Sequence, residues 1–264
     1  MTHPVCILTM HHCAPIKDDL TITPELFEKT LQEICNMGFK FINYREFKDI
    51  LFERKKPRKK SVLLTFDDGY FDNYKFAFPI LKELQIPAVC FLITDDINEL
   101  KHKNFNFKPH SKINCNKDLE YFLNLDEIYE MRDSGLFEFD SHTATHFSCK
   151  SQDKELIKDE FESSQEKIKE IFPNKKEFGF CWPKGHFNET SMGLIKKSKY
   201  DFAFSVIDGG YCVGDDKFKI RRIDISNNSK DDKTYIFRVK KKLKIYSTPI
   251  IGNLYSNFRN RKFK

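Results

Sequence analysis

Apolar residues recur along this chain in short runs, each closed by a turn signal or a polar cluster. The clearest run is Ser61-Val62-Leu63-Leu64-Thr65-Phe66, β-prone throughout and followed by Asp67-Asp68-Gly69. It predicts a strand buried on both faces that ends in a tight turn. Comparable runs at residues 5–10, 87–93, 136–139, 178–183, 202–206 and 219–225 predict further strands, and 39–42 a short one. Between them the period shifts to that of amphipathic helices. At 23–38, Thr23 and Pro24 supply a cap and a first-turn proline, Leu26, Phe27, Leu31 and Ile34 an apolar stripe, and Gly38 a stop. Helices are also expected at 44–52, 73–84 (kinked at Pro79), 126–134, 153–172 and 188–198. Strand–helix alternation without an internal repeat predicts one parallel, barrel-like α/β domain. Residues 95–123 interrupt it with a polar, weakly patterned stretch, expected to be an insertion or lid beside the site.

A chain of 264 residues can close one such domain, and its 27 Phe supply core volume although only 40% of residues are hydrophobic. The net charge of +6 is modest, and no recognition motif accompanies it, so nucleic acid is not expected as a partner. The eight cysteines form no Cys-x-x-Cys pair; together with a start that lacks a leader pattern, they point to a reducing, cytoplasmic compartment. The run 53–60 is basic and broken by Pro57, which is expected of a solvated loop. Residues 233–264 read as a basic C-terminal helix and tail, separate from a domain spanning 1–232. From 238 onward the segment holds nine Lys or Arg and no acid. A solvated helix is the first reading there and peripheral contact with an anionic membrane, at its inner face, the second.

The chemistry gathers at strand ends. Two adjacent acids at the end of a buried strand repel each other unless a cation or a shared proton reconciles them. A second cluster, Asp140-Ser141-His142-Thr143-Ala144-Thr145-His146, follows another apolar run. Its histidines are four apart, which aligns two imidazoles if the stretch begins a helical turn. One carboxylate and two imidazoles make an open metal site, leaving the other carboxylate free as a base. Each motif alone is commonly only a turn or a chance histidine pair; together they argue for a site.

Thr65-Phe66-Asp67-Asp68-Gly69 followed by His142-Thr143-Ala144-Thr145-His146 resembles the first two motifs of the polysaccharide deacetylases with NodB homology, carbohydrate esterase family four. With Cys181-Trp182-Pro183-Lys184-Gly185 as a third motif, the resemblance covers most of residues 1–225. It implies a distorted or incomplete parallel (β/α)7-type barrel and metal-dependent hydrolysis of an N-acetyl group from a sugar. Carried over, Asp68, His142 and His146 hold a divalent metal, zinc foremost, with iron, cobalt or nickel as alternatives. Asp67 is the base. Met10-His11 occupies the place where the biofilm poly-N-acetylglucosamine branch carries an N-terminal histidine acid, which favours His11 over His12, and no Leu-x-His motif follows the run 219–225. The family's third-motif arginine is missing, with Cys181 in its neighbourhood. Arg222, or else Arg221, is expected to replace it and orient Asp67; an exposed strand arginine is the competing expectation. Trp182 and Pro183 are expected to line the sugar groove, although a core tryptophan fits the sequence as well, and the N–H of Tyr70 is a candidate oxyanion donor. A cytosolic sugar precursor or a lipid-linked glycan is the expected substrate. The other readings are an amidase acting on a non-sugar C–N bond, which a buried Trp182 favours, and a non-catalytic glycan-binding protein.

Overall fold

The computed structural model describes residues 3–102, 106–227 and 229–260; the tail residues 261–264 and part of the insertion lie outside them. Seven parallel strands close into a barrel: β1 (Val5–Met10), β2 (Ser61–Phe66), β3 (Ala88–Leu92), β4 (Phe137–Ser141), β5 (Gly179–Cys181), β6 (Phe202–Asp208) and β7 (Ile220–Asp224). β1 closes the ring, pairing along its whole length with β2 and near its end with β7. The barrel is thinnest between β4 and β5, which share the single register pair Ser141–Phe180 among the described residues. The short strand Lys40–Phe41 pairs with the start of β2, on the edge that β3 takes over further along.

Strands buried on both faces need no polar side, and β1, β3 and β5 are largely apolar, whereas β4 and β7 carry the buried Asp140 and Arg222. In β1, Val5 and Ile7 join one apolar cluster with Leu63, Phe91 and Phe204, while Cys6, Leu8 and Met10 join another beneath the surrounding helices. Cys6, Cys90 and Cys181 are fully buried and free, as small hydrophobes.

The helices are α1 (Pro24–Asn36), α2 (Tyr44–Leu51), α3 (Phe78–Leu84), α4 (Leu125–Asp133), α5 (Lys154–Ile171), α6 (Glu189–Ile195), α7 (Asp232–Tyr246) and α8 (Pro249–Arg259). Thr23 caps α1 as expected, its hydroxyl accepting from the Leu26 N–H. The expected helix at 73–84 divides instead: Asn73–Ala77 is a π-helical turn that leads into α3, with Pro79 in the first turn of α3. A proline there lacks a donor the helix start does not need, and the wider turn absorbs the misfit. The C-terminal segment is two helices, and α7 is only half solvated. Its Tyr235, Val239, Leu243 and Tyr246 are buried in the main core cluster. α8 leaves Ile250, Ile251 and Leu254 exposed. No helix of the described residues is long and apolar enough to cross a membrane.

Candidate active site

The C-terminal ends of β1, β2, β4 and β7 deliver the site. Asp68 and Gly69 both adopt positive φ, 72° and 77°. A side chain at Gly69 would strike Leu92, since a Cβ there would lie 2.7 Å from its Cδ2. This double turn sends the two neighbouring carboxylates in different directions.

Asp67 turns toward β7. Arg222 donates from both terminal nitrogens to its two oxygens, at 2.6 and 2.8 Å, and anchors its own Nε on the Ser205 carbonyl at 2.9 Å. Arg222 is 1% exposed, so the expectation of an exposed strand arginine is overturned. A register irregularity between Ile220 and Arg222, where β7 meets β6, accompanies this inward placement. Arg221 points the other way, to Asp215 and Asn253. Burial by itself would raise the pKa of Asp67, but the Arg222 charge and hydrogen bonds, helped by His142 and His11, hold it below the usual range. Cys181 Sγ lies 3.7 Å from Asp67 Oδ1, its thiol kept protonated by burial.

Asp68 turns toward the histidines. Its Oδ1 is 3.3 Å from His142 Nε2 and 3.5 Å from His146 Nε2, is buried, and has no hydrogen-bond partner among the described residues. His142 Nδ1 donates to the Cys181 carbonyl at 2.8 Å, so a neutral His142 faces the carboxylate with a lone pair. Two acceptors in contact require a positive charge between them. Burial opposes charging His142, yet its hydrogen bond to Asp68 and the Asp67 charge act against burial and its pKa is driven upward, so this corner of the site favours positive charge. His146 is pushed down to about 4, chiefly by burial, which leaves its imidazole neutral and able to ligate. The donor chemistry of Asp68, His142 and His146 therefore fits a divalent cation, with ligand atoms within 4.8 Å of one another. Asp67, His142 and Cys181 lie equally close, but Asp67 is already saturated by Arg222 and Cys181 keeps its proton.

The two histidines are not aligned by a helical turn. Residues 142–147 form a loop in which Thr143 and His146 take positive φ, 68° and 61°. Glu160 of α5 holds it, accepting from the N–H groups of Ala144 (2.9 Å) and Thr145 (3.0 Å) and from the Thr145 hydroxyl (2.6 Å).

His11 lies in the same 430 Å³ cavity as Asp67, Asp68, His142 and His146, its Nε2 4.0 Å from Asp67 Oδ2. His12 points away, 2.5 Å from Asp72 and 2% exposed, which separates the two candidates. Trp182 is fully buried and donates to the Phe218 carbonyl at 2.9 Å, packed against Phe161 and Phe180. It is a core residue, and Pro183 is buried beside it; the cavity wall there is Lys184. Tyr70 is also buried, its ring stacked on His12 at 3.7 Å and on Phe122 at 5.0 Å. Three residues the sequence did not single out, His110, Lys184 and Glu160, thus help to form or support the site.

With this geometry in place, comparison with known proteins is informative. The sequence matches the family described as polysaccharide deacetylase over residues 54–203, more than half of the chain, and the protein belongs to that family. A curated relative is the poly-beta-1,6-N-acetyl-D-glucosamine N-deacetylase of Staphylococcus epidermidis. It is 29% identical over 217 residues, covering 79% of this chain and 69% of the relative. Among solved structures, the Streptococcus pyogenes deacetylase PplD in complex with acetate superposes with a TM-score of 0.74 at 21% identity, over 92% of this chain and 99% of its own. IcaB from Ammonifex degensii does so at 0.72 and 21%, over 91% and 97%. At such identities the structural likenesses establish the fold, and they agree with the (β/α)7-type barrel.

Proposed function

We propose that this protein is a metal-dependent N-deacetylase acting on an N-acetylated sugar, in a glycan or a glycan precursor, with release of acetate. The observation that carries this reading is the unpartnered Asp68 oxygen facing two imidazole nitrogens, beside a second carboxylate already neutralised by Arg222. Asp68, His142 and His146 would hold the cation; this donor set suits zinc, and iron, cobalt and nickel can also be held by such ligands. When bound, such an ion polarises a carbonyl and acidifies water.

The remaining work falls to the chain. Asp67 accepts the proton of the attacking water, and Arg222 keeps it ionised and aimed. His11, across the cavity, protonates the departing sugar amine, and the Tyr70 backbone N–H helps to stabilise the oxyanion. All of these residues lie within 1–232, the unit we take to carry the chemistry, with 233–264 appended to it. The burial of Trp182 removes one sugar-stacking surface, which favours the amidase reading, but family membership and the S. epidermidis relative weigh toward a sugar substrate.

Eight free thiols support a reducing, cytoplasmic setting. A cytosolic precursor or a lipid-linked glycan is then the substrate class within reach. Exposed Ile250, Ile251 and Leu254 in a basic segment support peripheral contact with an anionic membrane, for which co-flotation with anionic but not zwitterionic vesicles is expected.

The deciding experiment measures metal content together with acetate release from a panel of N-acetylated saccharides, for wild type and Asp68→Ala. Stoichiometric metal and acetate release, both lost in the variant, are expected. Metal without acetate release would turn the case toward the amidase or binding readings, and failure to bind metal on reconstitution would overturn the central argument.

A further inference from the structure

The stretch 95–123 places a fourth histidine in the cavity, beside His11, His142 and His146. His110 opens the short 3-10 turn His110–Lys112, and its backbone N–H donates to Asp18 at 2.6 Å. Its Nδ1 lies 3.2 Å from His12 Nε2 and 3.3 Å from the Tyr70 hydroxyl. His12 is held in turn by Asp72, whose Oδ2 is 2.5 Å from His12 Nδ1 and whose Oδ1 accepts the Cys13 N–H at 3.0 Å.

The chain of contacts has a direction. A carboxylate only accepts, so His12 Nδ1 carries the proton. A neutral His12 then has a lone pair at Nε2, and His110 Nδ1 must be the donor. That leaves His110 Nε2 with a lone pair, on the ring edge opposite the one held by His12 and Tyr70. His110 lines the cavity with Asp67, Asp68 and His146, and His11 meets its ring edge-on with centroids 5.9 Å apart. Asp72 satisfies the Nδ1 side of the buried His12 and His110 the Nε2 side, so the same link that completes His12 fixes the orientation of the His110 ring. Sugar hydroxyls are donors in search of such an acceptor.

From this we infer that His110 is a substrate-contacting residue whose Nε2 accepts a hydrogen bond from a hydroxyl of the bound sugar, and that His12 and Asp72 are positioning residues that set its tautomer. The inference rests on the deacetylase reading and adds a specificity contact to it.

The test joins kinetics to histidine ¹⁵N spectroscopy on the metal-loaded full chain, with N-acetylglucosamine oligomers as the probe. His110→Phe should raise KM roughly five- to tenfold, the worth of one hydrogen bond, with a smaller fall in kcat. His110→Gln, which returns an amide oxygen near the Nε2 position, should recover most of that loss. Asp72→Asn turns an NH2 toward His12 Nδ1 and inverts both tautomers, so it should raise KM as His110→Phe does. Its spectrum should move the His110 proton from Nδ1 to Nε2. An unchanged KM in His110→Phe, or a wild-type His110 protonated at Nε2, would overturn the inference. Should the oligomers bind without being hydrolysed, the deacetylase reading fails on its own account; a shift of the His110 Nε2 resonance on binding, or its absence, still decides the contact.

Discussion

Asp67 and Asp68 are joined by one peptide bond and are 3% and 2% exposed, yet their surroundings are opposite. Asp67 receives two hydrogen bonds from an arginine and a long one, 3.4 Å, from the Thr9 hydroxyl. Asp68 is left with an oxygen that nothing in the described fold donates to. The difference teaches how a protein assigns unlike tasks to like residues. A carboxylate whose counter-charge is built into the fold stays ionised and oriented, whereas one left unsatisfied is completed from outside. The backbone makes the division, because two successive left-handed residues turn the second acid away from the first.

The comparison can be broken most severely at the acids and their partners. Asp67→Asn should retain metal and lose turnover by about 10²–10⁴-fold, while His142→Ala should lose metal and turnover together; metal analysis beside acetate assays separates the two. A near-normal rate in Asp67→Asn would place the base elsewhere. Arg222→Met should come next. It leaves a buried carboxylate unpaired, costing about 3–5 kcal/mol in denaturant unfolding. It also changes the response to pH. Asp67 is held below its unfolded pKa of about 3.9, so the pair stabilises fully above that value and its contribution fades as pH falls through the lower, folded pKa. Without Arg222 the folded pKa rises, and the acid limb of the rate–pH profile should move to higher pH. Glu160→Gln is the mildest of the four. An amide facing two backbone N–H groups loosens the loop that presents His146, and metal affinity should weaken about 10–100-fold by competition titration while Asp67 and Arg222 are untouched.

Much of the barrel and of its acid–histidine core was legible because it is local. A run such as Ser61 to Phe66 declares a doubly buried strand within six residues, and an acid pair at its end states an electrostatic problem on its own. The histidine spacing was readable, but the helical turn assumed for it was not present; Thr143 and His146 reach the same outcome through left-handed backbone that no propensity predicts. Trp182 was ambiguous for a physical reason, since a groove platform and a core residue share one sequence signature. His110 and Glu160 could not be found at all. The first lies in a polar insertion without periodicity, and the second on the solvated side of a helix pattern. Their partners, His12 and the loop at 144–145, are far away or reached only through the fold. Lys184 was in view inside the third motif, yet attention went to its aromatic neighbour.

The closure of the barrel also sets an order of assembly during synthesis. Of the seven barrel strands, β1 is made before the others and gains its second neighbour only when β7 follows. Until then a strand of six buried residues keeps one open edge, a slow and aggregation-exposed interval for any nascent chain. Asp68, His142 and His146 all emerge earlier, just beyond β2 and β4, so the proposed cation ligands can be present while Asp67 still lacks its arginine. The last strand to arrive is the one that brings Arg222 to Asp67, and the proposed chemistry therefore waits for the barrel to close.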